Sequence, residues 1–284
     1  NLYFDGKREL IDKIDFFVNN KEWYEKEGHP YTLGIGLSGL PGTGKTSIIK
    51  SIANKLGRHL IQIPLNKIKC EDDFYKYYFE STYNHHNDTN TVDFDKKIIV
   101  LEDLDCMSDL VLDRSKKNIE PIDTHAIDGL ANSNDMMLET IVNAVKVANN
   151  NDPDKTAGQT SKPPTCKNLF VKENKLTLSF ILNILDGLDE NYGRILIITS
   201  NFYENIDKAL VRPGRIDLRV EMKNASIQTI KDMYLHYYGT KIPRQYNSIL
   251  KDDVISPAEI VNMYRTTNSS KEFIETMVLK FQSS

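Results

Sequence analysis

Residues Leu33–Leu56 read "LGIGLSGLPGTGKTSIIKSIANKL". An apolar, strand-like run comes first, the glycine loop "GLPGTGKT" (Gly39–Thr46) follows, and a helical pattern of apolar residues completes the stretch. A G-x-x-x-x-G-K-[ST] loop between a strand and a helix is typical of a phosphate-binding site, because its glycines let backbone N–H groups face the phosphates. The amino end of the following helix adds positive dipole charge. The stretch therefore predicts a nucleotide site at the start of an α/β fold.

The side chains of this loop predict how ATP and Mg²⁺ are bound. Lys45 is expected to reach the β and γ phosphates, and the Thr46 hydroxyl is expected to face Mg²⁺. The residues expected to bind the nucleotide are Gly39, Gly42, Thr43, Gly44, Lys45, Thr46 and Ser47.

Short apolar runs recur along the chain and alternate with helical patterns such as Thr46–Lys55 and Leu178–Leu185. This alternation predicts an α/β three-layer sandwich of the P-loop NTPase kind, with a five-stranded parallel sheet. The five predicted strands are Leu33–Ser38, His59–Ile63, Ile98–Leu101, Ile195–Thr199 and Leu218–Met222, and Leu2–Phe4 is a further short strand-like piece.

The chain is predicted to divide into an α/β core (residues 1–225) and a C-terminal helical lid subdomain (residues 226–284). Residues 107–174 are rich in polar residues and predict a mobile insertion in the core, because such a composition buries little apolar surface. Met136–Ala148 is its one helical pattern. Ser256 is expected to cap the second lid helix, with Pro257 as its first residue. The predicted lid helices are Ile227–Tyr238, Pro257–Tyr264 and Ser270–Phe281.

The stretch "IIVLEDLD" (Ile98–Asp105) is a buried strand that ends in acids. Together with Thr46, Glu102 is expected to hold Mg²⁺, partly through water, and Asp103 is expected to orient or deprotonate the attacking water. The side chain of an aspartate is one methylene shorter than that of a glutamate. A further water molecule or a small backbone shift must therefore bridge the distance between the Asp103 carboxylate and the attacking water. Asp105 is expected to organise the turn or to make a subunit contact.

Two later stretches add polar groups. "ILIITSN" ends at Asn201, whose neutral amide could hold the attacking water without competing for the metal. In "VRPGR", Arg212 and Arg215 flank a Pro-Gly turn. Guanidinium groups are always charged and fork onto phosphate oxygens, so both arginines are candidates for stabilising the transition state.

Taken in order, "GLPGTGKT", "IIVLEDLD", "ITSN" and "DKALVRPGRID" resemble the AAA family of ATPases. The stretches "LSFILNILDGL" and "ISPAEIVNMY", and the Glu-before-Asp order, are similar to the Bcs type, a mitochondrial inner-membrane translocase that delivers the folded Rieske iron–sulfur protein to respiratory complex III. The resemblance implies a homo-oligomeric ring of six or seven subunits that uses ATP hydrolysis to remodel or translocate a protein substrate. It also implies that Arg212 and Arg215 act on the neighbouring subunit's nucleotide. Membrane association would come through an upstream segment that is not in this chain.

Composition bears on the alternatives. The formal net charge is −4 with acids and bases well mixed, so nucleic acid is not indicated as a partner, although a helicase-like or clamp-loader-like motor stays open as the alternative. A scaffold that does not hydrolyse ATP is disfavoured by the intact set of polar residues. Without an apolar run of about 18 residues the chain is expected to be soluble. The spacing of Cys70, Cys106 and Cys166 predicts plain thiols in a reducing compartment.

Two smaller features have competing interpretations. The first is a set of four aromatic residues that could either pack a helix against the core or grip a substrate in a pore, and packing is favoured. These residues are Phe74, Tyr75, Tyr77 and Tyr78. His85 and His86 are expected to lie in a polar loop rather than in a metal site.

Overall fold

The computed structural model describes residues 2–83, 90–107, 111–113, 174–186 and 191–283. The strands are β1 (Thr32–Gly39), β2 (His59–Gln62), β3 (Lys97–Leu101), β4 (Arg194–Ser200) and β5 (Leu218–Met222). The helices are α1 (Lys7–Asn19), α2 (Lys21–Glu27), α3 (Lys45–Leu56), α4 (Glu71–Phe79), α5 (Leu104–Met107), α6 (Leu178–Asp186), α7 (Ile227–Tyr238), α8 (Pro257–Thr266) and α9 (Ser270–Ser283). The predicted helix Met136–Ala148, the pair His85–His86 and the side chains of Cys106 and Cys166 lie outside the described residues.

The five strands form one parallel sheet in the order β2-β3-β4-β1-β5. The predicted five-stranded parallel sheet is therefore confirmed. The strand predicted at Leu2–Phe4 is wrong, since this segment joins no strand. Its apolar residues Leu2 and Phe4 instead pack their side chains against one of the buried clusters.

Side chains that alternate along the strands build two cores, one on each face of the sheet. In β3, Ile98 and Val100 belong to one buried cluster, whereas Ile99 and Leu101 belong to the other. Helices α1 and α3 contribute buried residues to the first cluster, and α4 and α6 contribute to the second. The sheet is thus covered by helices on both faces, as a parallel sheet requires.

The aromatic residues of α4 differ in burial. Phe74 and Tyr78 are fully buried in the second cluster, which agrees with helix packing. Tyr75 and Tyr77 are exposed on the same helix.

The helices after β5 have a buried cluster of their own, which extends from Ala225 to Phe281. The predicted cap at the start of α8 is present as a capping box: the Ser256 hydroxyl accepts from the Glu259 N–H at 3.2 Å, and the Glu259 carboxylate accepts from the Ser256 N–H at 2.9 Å. At the same helix start, the N–H of Ala258 donates to the carbonyl of Gly42 at 3.2 Å. The start of α8 therefore contacts the glycine loop directly. Among the described helices, none is long and apolar enough to cross a membrane.

Candidate active site

The carboxyl ends of neighbouring parallel strands meet at one edge of a sheet. β3, β4 and β1 are consecutive in the sheet, so the residues that follow them, Glu102 and Asp103, Asn201 and the glycine loop, lie along one edge. The sequence alone predicts which strand each group follows. The order of the strands in the sheet then shows that the groups lie close together.

The glycine loop has a backbone that only glycine adopts readily. Its glycines have positive φ angles of 141° at Gly39, 83° at Gly42 and 106° at Gly44. A Cβ on Gly39 would lie 2.0 Å from the carbonyl oxygen of Met222, so this position also needs glycine for close approach. Helix α3 contains 12 residues and begins at Lys45, so the last two residues of the loop lie in its first turn. Its amino end therefore faces the loop and offers unpaired N–H groups and dipole charge to an anion.

The remaining loop side chains differ in exposure. Thr43 is buried and its hydroxyl donates to the Leu40 carbonyl at 2.8 Å, which closes the loop. Thr46 and Ser47 are exposed in the first turn of α3. Thr43 therefore shapes the loop, whereas Thr46 and Ser47 can offer their hydroxyls to a ligand.

Lys45 is only 9% exposed, and its ammonium lies at the centre of the site. Its Nζ donates to the amide oxygen of Asn201 at 2.7 Å and to the Leu40 carbonyl at 3.2 Å. Burial lowers the pKa of Lys45, and the nearby charges of Asp103 and Asp105 oppose that shift. The ammonium is thus partly desolvated and hydrogen-bonded mainly to neutral oxygens, which suits it to bind a phosphate group.

Glu102 is held between two hydrogen-bond donors. The Thr46 hydroxyl lies 3.3 Å from Oε1, and the Gln62 amide donates to Oε2 at 2.7 Å. A carboxylate beside a hydroxyl is the kind of oxygen pair that Mg²⁺ prefers. Gln62 was not among the predicted site residues. Its signal was its place at the carboxyl end of the predicted strand His59–Ile63.

Asp103 has a left-handed backbone, with φ of 48°, and Asp253 is the other non-glycine residue with positive φ in the described part of the chain. The Asp103 N–H donates to the hydroxyl of Thr199 at 2.8 Å. Two residues further on, the Asp105 carboxylate accepts from the Asn201 N–H at 2.9 Å. Two hydrogen bonds therefore join the residues that follow β3, including the start of α5, to the end of β4.

Arg212 and Arg215 bind the same carboxylate but differ in exposure. The Arg215 side chain is 6% exposed and donates from Nε to Asp186 Oδ1 at 2.7 Å and from Nη2 to Asp186 Oδ2. Its Nη1 donates to the carbonyl of Ala209. The Arg212 side chain is 56% exposed and also bonds to Asp186 Oδ2. Each guanidinium nitrogen of Arg215 is therefore engaged within its own subunit, whereas more than half of the Arg212 side chain faces solvent.

Asp186 was not predicted as part of the site. It ends α6, and its pKa is lowered by the hydrogen bond from Arg215 and by the charges of both arginines. In the sequence it is 29 residues from Arg215, and nothing in the motif "VRPGR" indicates which acid the arginines bind.

These features form a site for a nucleoside triphosphate. A left-handed glycine loop at a helix start is suited to bind phosphate, and a buried lysine is suited to bind the negative charge of the phosphate. A hydroxyl beside a carboxylate has the oxygen atoms that Mg²⁺ prefers. The fold and the site together define a P-loop nucleoside triphosphatase.

Comparison with known proteins narrows this class. Residues 35–155 match the family described as "ATPase family associated with various cellular activities (AAA)". The chain is similar to the "Probable mitochondrial chaperone BCS1-B" of Dictyostelium discoideum, with 31% identity over 96% of this chain and 52% of the relative. It is also similar to an AAA-ATPase of Arabidopsis thaliana, with 29% identity over 93% of this chain and 46% of the relative. An AAA family ATPase of Acanthamoeba polyphaga mimivirus is 29% identical over 79% of this chain and 96% of the relative.

Residues 35–155 thus match the AAA family of ATPases, and the relatives that are similar over most of this chain support an AAA ATPase of the Bcs type. The chain spans about half the length of the first curated relatives, 52% and 46%.

Proposed function

We propose that this chain hydrolyses ATP with Mg²⁺ and works as a subunit of a homo-oligomeric ring that remodels or translocates a protein substrate. The observation that carries the proposal is the convergence of Lys45, Asn201 and Glu102 beside the glycine loop, with Lys45 2.7 Å from Asn201 and Thr46 3.3 Å from Glu102.

Each group has a proposed role in the reaction. The glycine loop and the start of α3 bind the phosphates through backbone N–H groups, and Lys45 binds the β and γ phosphates. Thr46 and Glu102 hold Mg²⁺, which supplies positive charge to the phosphates when it is bound. Asp103 accepts a proton from the attacking water, and Asn201 orients that water from the other side. Lys45 would exchange its bond to Asn201 for phosphate oxygens, which leaves the amide to the water.

Arg212 is the proposed residue that acts on the nucleotide of the next subunit. Its side chain is 56% exposed, and an exposed ion pair contributes only about 0–1 kcal/mol, so it can leave Asp186 for a phosphate at little cost. Such an arginine can raise the rate by about 10³–10⁵. A group that works only across an interface also explains why a ring would be needed. Arg215 is proposed as the residue that fixes Asp186 and, through it, the turn that carries Arg212.

A protein substrate is the proposed cargo. Two relatives carry the name of a mitochondrial chaperone, and a chaperone acts on proteins. A mitochondrial location rests on the same two names. No observation favours the alternative of a nucleic-acid motor, and the acidic net charge of −4 does not support one.

The test is phosphate release by the purified protein, with and without Mg²⁺, at several protein concentrations. We expect Mg²⁺-dependent release that rises more than linearly with protein concentration, because the ring must assemble. Lys45→Ala should abolish both ATP binding and release, whereas Lys50→Ala, an exposed change on the same helix, should not. Strong stimulation of phosphate release by DNA would contradict the protein-remodelling role. An assembled wild-type ring that releases no phosphate would contradict the proposed ATPase activity.

Action between subunits can be tested by mixing variants. Arg212→Ala supplies an intact phosphate loop, and Lys45→Ala supplies an intact arginine. Mixed rings should regain part of the activity that neither variant has alone. No recovery at any mixing ratio would contradict the role of Arg212.

A further inference from the structure

Asp103 combines a proposed catalytic role with an unfavourable backbone conformation. Its φ is 48°, a left-handed value that is costly for a side chain with a Cβ, although less so for Asp than for most residues. Such conformations persist where surrounding structure holds them, and they concentrate at functional sites. The question is which group holds this one.

The hydroxyl of Thr199 lies where the Asp103 backbone turns. It accepts the Asp103 N–H at 2.8 Å. Thr199 is 2% exposed and belongs to β4, which pairs with β3 up to Leu101 and Ile198. Thr199 therefore follows the last residue of β4 that pairs with β3, and it still pairs with Leu37 of β1 on the other side. Its hydroxyl thus has a fixed position and a rigid support. It is a buried polar group that the roles proposed so far leave without a function.

We propose that Thr199 is a positioning residue of the ATPase reaction: its hydroxyl holds Asp103 in the left-handed conformation from which the short aspartate side chain meets the attacking water. The inference rests on the proposed ATPase function and assigns to Thr199 a role in that reaction. The left-handed turn supplies the backbone shift that an aspartate needs in place of a longer glutamate. Thr199 acts through Asp103 and does not need to touch the nucleotide.

A second contact makes this role separable from the fold. The Asp105 carboxylate accepts the Asn201 N–H at 2.9 Å, and this hydrogen bond joins the same two chain segments independently. Loss of the Thr199 hydroxyl should therefore free the Asp103 turn while the ends of β3 and β4 stay together. Valine has the shape of threonine without the hydroxyl, and serine keeps the hydroxyl without the methyl group.

The first test is steady-state ATPase kinetics of the full chain in its assembled state. Thr199→Val should lower kcat on the order of 10²-fold, as expected for a misplaced catalytic group, and should leave KM and the affinity for a fluorescent ATP analogue unchanged. Thr199→Ser should restore kcat to within about threefold of wild type. Thr276→Val, which removes an exposed hydroxyl on α9, is the control. A normal kcat in Thr199→Val, or a kcat in Thr199→Ser as low as in Thr199→Val, would overturn the proposal. Thr199→Ala removes the same hydroxyl and replaces Thr199→Val where that variant fails to fold.

The second test needs no activity and separates this inference from the proposed function. Glycine tolerates a left-handed backbone and alanine does not, so Asp103→Gly should melt at a higher temperature than Asp103→Ala. In a Thr199→Val background the difference in melting temperature should shrink, because no hydroxyl then holds the backbone at residue 103 in the left-handed conformation. An equal difference in both backgrounds would overturn the role of Thr199 even if the protein is an active ATPase. If the wild type is inactive but the difference in melting temperature shrinks, the proposed ATPase activity is contradicted. The inference that Thr199 fixes the Asp103 backbone then still stands.

Discussion

Arg215 and Asp186 form a bidentate salt bridge within one subunit, in which Nε donates to Oδ1 at 2.7 Å and Nη2 donates to Oδ2. Arg212 reaches the same carboxylate from the solvent side of the turn. The carbonyl of Arg212 accepts the N–H groups of Arg215 and Ile216, each at 3.1 Å, around Gly214 with its positive φ of 88°. The buried arginine thus fixes the turn, and the exposed arginine is presented by it.

Replacing Arg215 should therefore mainly lower stability, whereas replacing Arg212 should mainly lower turnover. Arg215→Ala removes the charged hydrogen bonds between a guanidinium that is 6% exposed and a carboxylate that is 31% exposed. We expect a loss of about 2–3 kcal/mol in the free energy of unfolding. Arg212→Ala should change that free energy by no more than about 0.5 kcal/mol, yet should lower turnover on the order of 10³-fold. Urea unfolding and phosphate release measure the two effects, and Arg244→Ala, at an exposed arginine, is the control. A strong destabilisation by Arg212→Ala would contradict this division.

The contact should also make stability depend on pH. The hydrogen bond from Arg215 lowers the pKa of Asp186 below its ordinary value of 3.8. A depressed pKa in the folded protein means that the contribution is present above about pH 4 and is lost as the pH falls through the folded pKa. The free energy of unfolding of wild type should exceed that of Asp186→Asn at pH 7, and the gap should narrow below pH 4.

The measurement is urea unfolding of both proteins at pH 7, 5, 4 and 3, with Asp12→Asn at an exposed carboxylate as the control. A gap between wild type and Asp186→Asn that stays constant from pH 7 to pH 3 would show that the carboxylate is not held by the arginines.

Gln62 should support the metal site through Glu102. Gln62→Leu removes the amide that donates to Oε2 at 2.7 Å, and loss of a partner behind a metal ligand commonly costs about 10–100-fold in metal affinity. The Mg²⁺ concentration for half-maximal ATPase should rise by a factor in that range. Gln228→Leu removes an amide-to-carboxylate bond of the same 2.7 Å length on α7 and should leave the Mg²⁺ dependence unchanged. Equal Mg²⁺ dependence in Gln62→Leu and wild type would remove Gln62 from the site.

Asn201 should affect the chemical step and not ATP binding. Asn201→Ala removes the amide that lies 2.7 Å from the Lys45 ammonium, and loss of one such polar group commonly costs on the order of 10²-fold in kcat. Affinity for a fluorescent ATP analogue should hold within about threefold, since the glycine loop and Lys45 remain. Asn20→Ala, on the exposed surface near the end of α1, is the control. A loss of ATP affinity as large as the loss of kcat would contradict a role confined to the chemical step.

The sheet was predictable because its signal is local. Each of the five strands is a short apolar run, and the glycine loop marks the first crossover to a helix. Leu2–Phe4 has the same kind of apolar pattern but joins no strand, because two apolar side chains can be buried against a helix as well as in a sheet. A short pattern alone cannot distinguish these outcomes.

The contacts that orient the site were harder to predict because they join residues far apart in the chain. Asp186 and Arg215 meet only once α6 and the loop after β4 are packed, and Thr199 and Asp103 are 96 residues apart. Gln62 could have been found from the sequence, since it lies next to the carboxyl end of the predicted strand His59–Ile63. Its contact with Glu102, however, depends on β2 and β3 being neighbours. Motifs thus predicted the candidate groups of the site, and the order of the strands decided which residues contact them.

The central claim is that Asp103 carries the proton transfer in ATP hydrolysis, and its most direct test is Asp103→Asn. Asparagine keeps the size of the side chain and tolerates a left-handed backbone, but it cannot act as the base. We expect the affinity for a fluorescent ATP analogue to stay at the wild-type level while phosphate release falls by about 10²–10⁴-fold, with Asp12→Asn as the matched control. Phosphate release by Asp103→Asn at the wild-type rate would contradict the account.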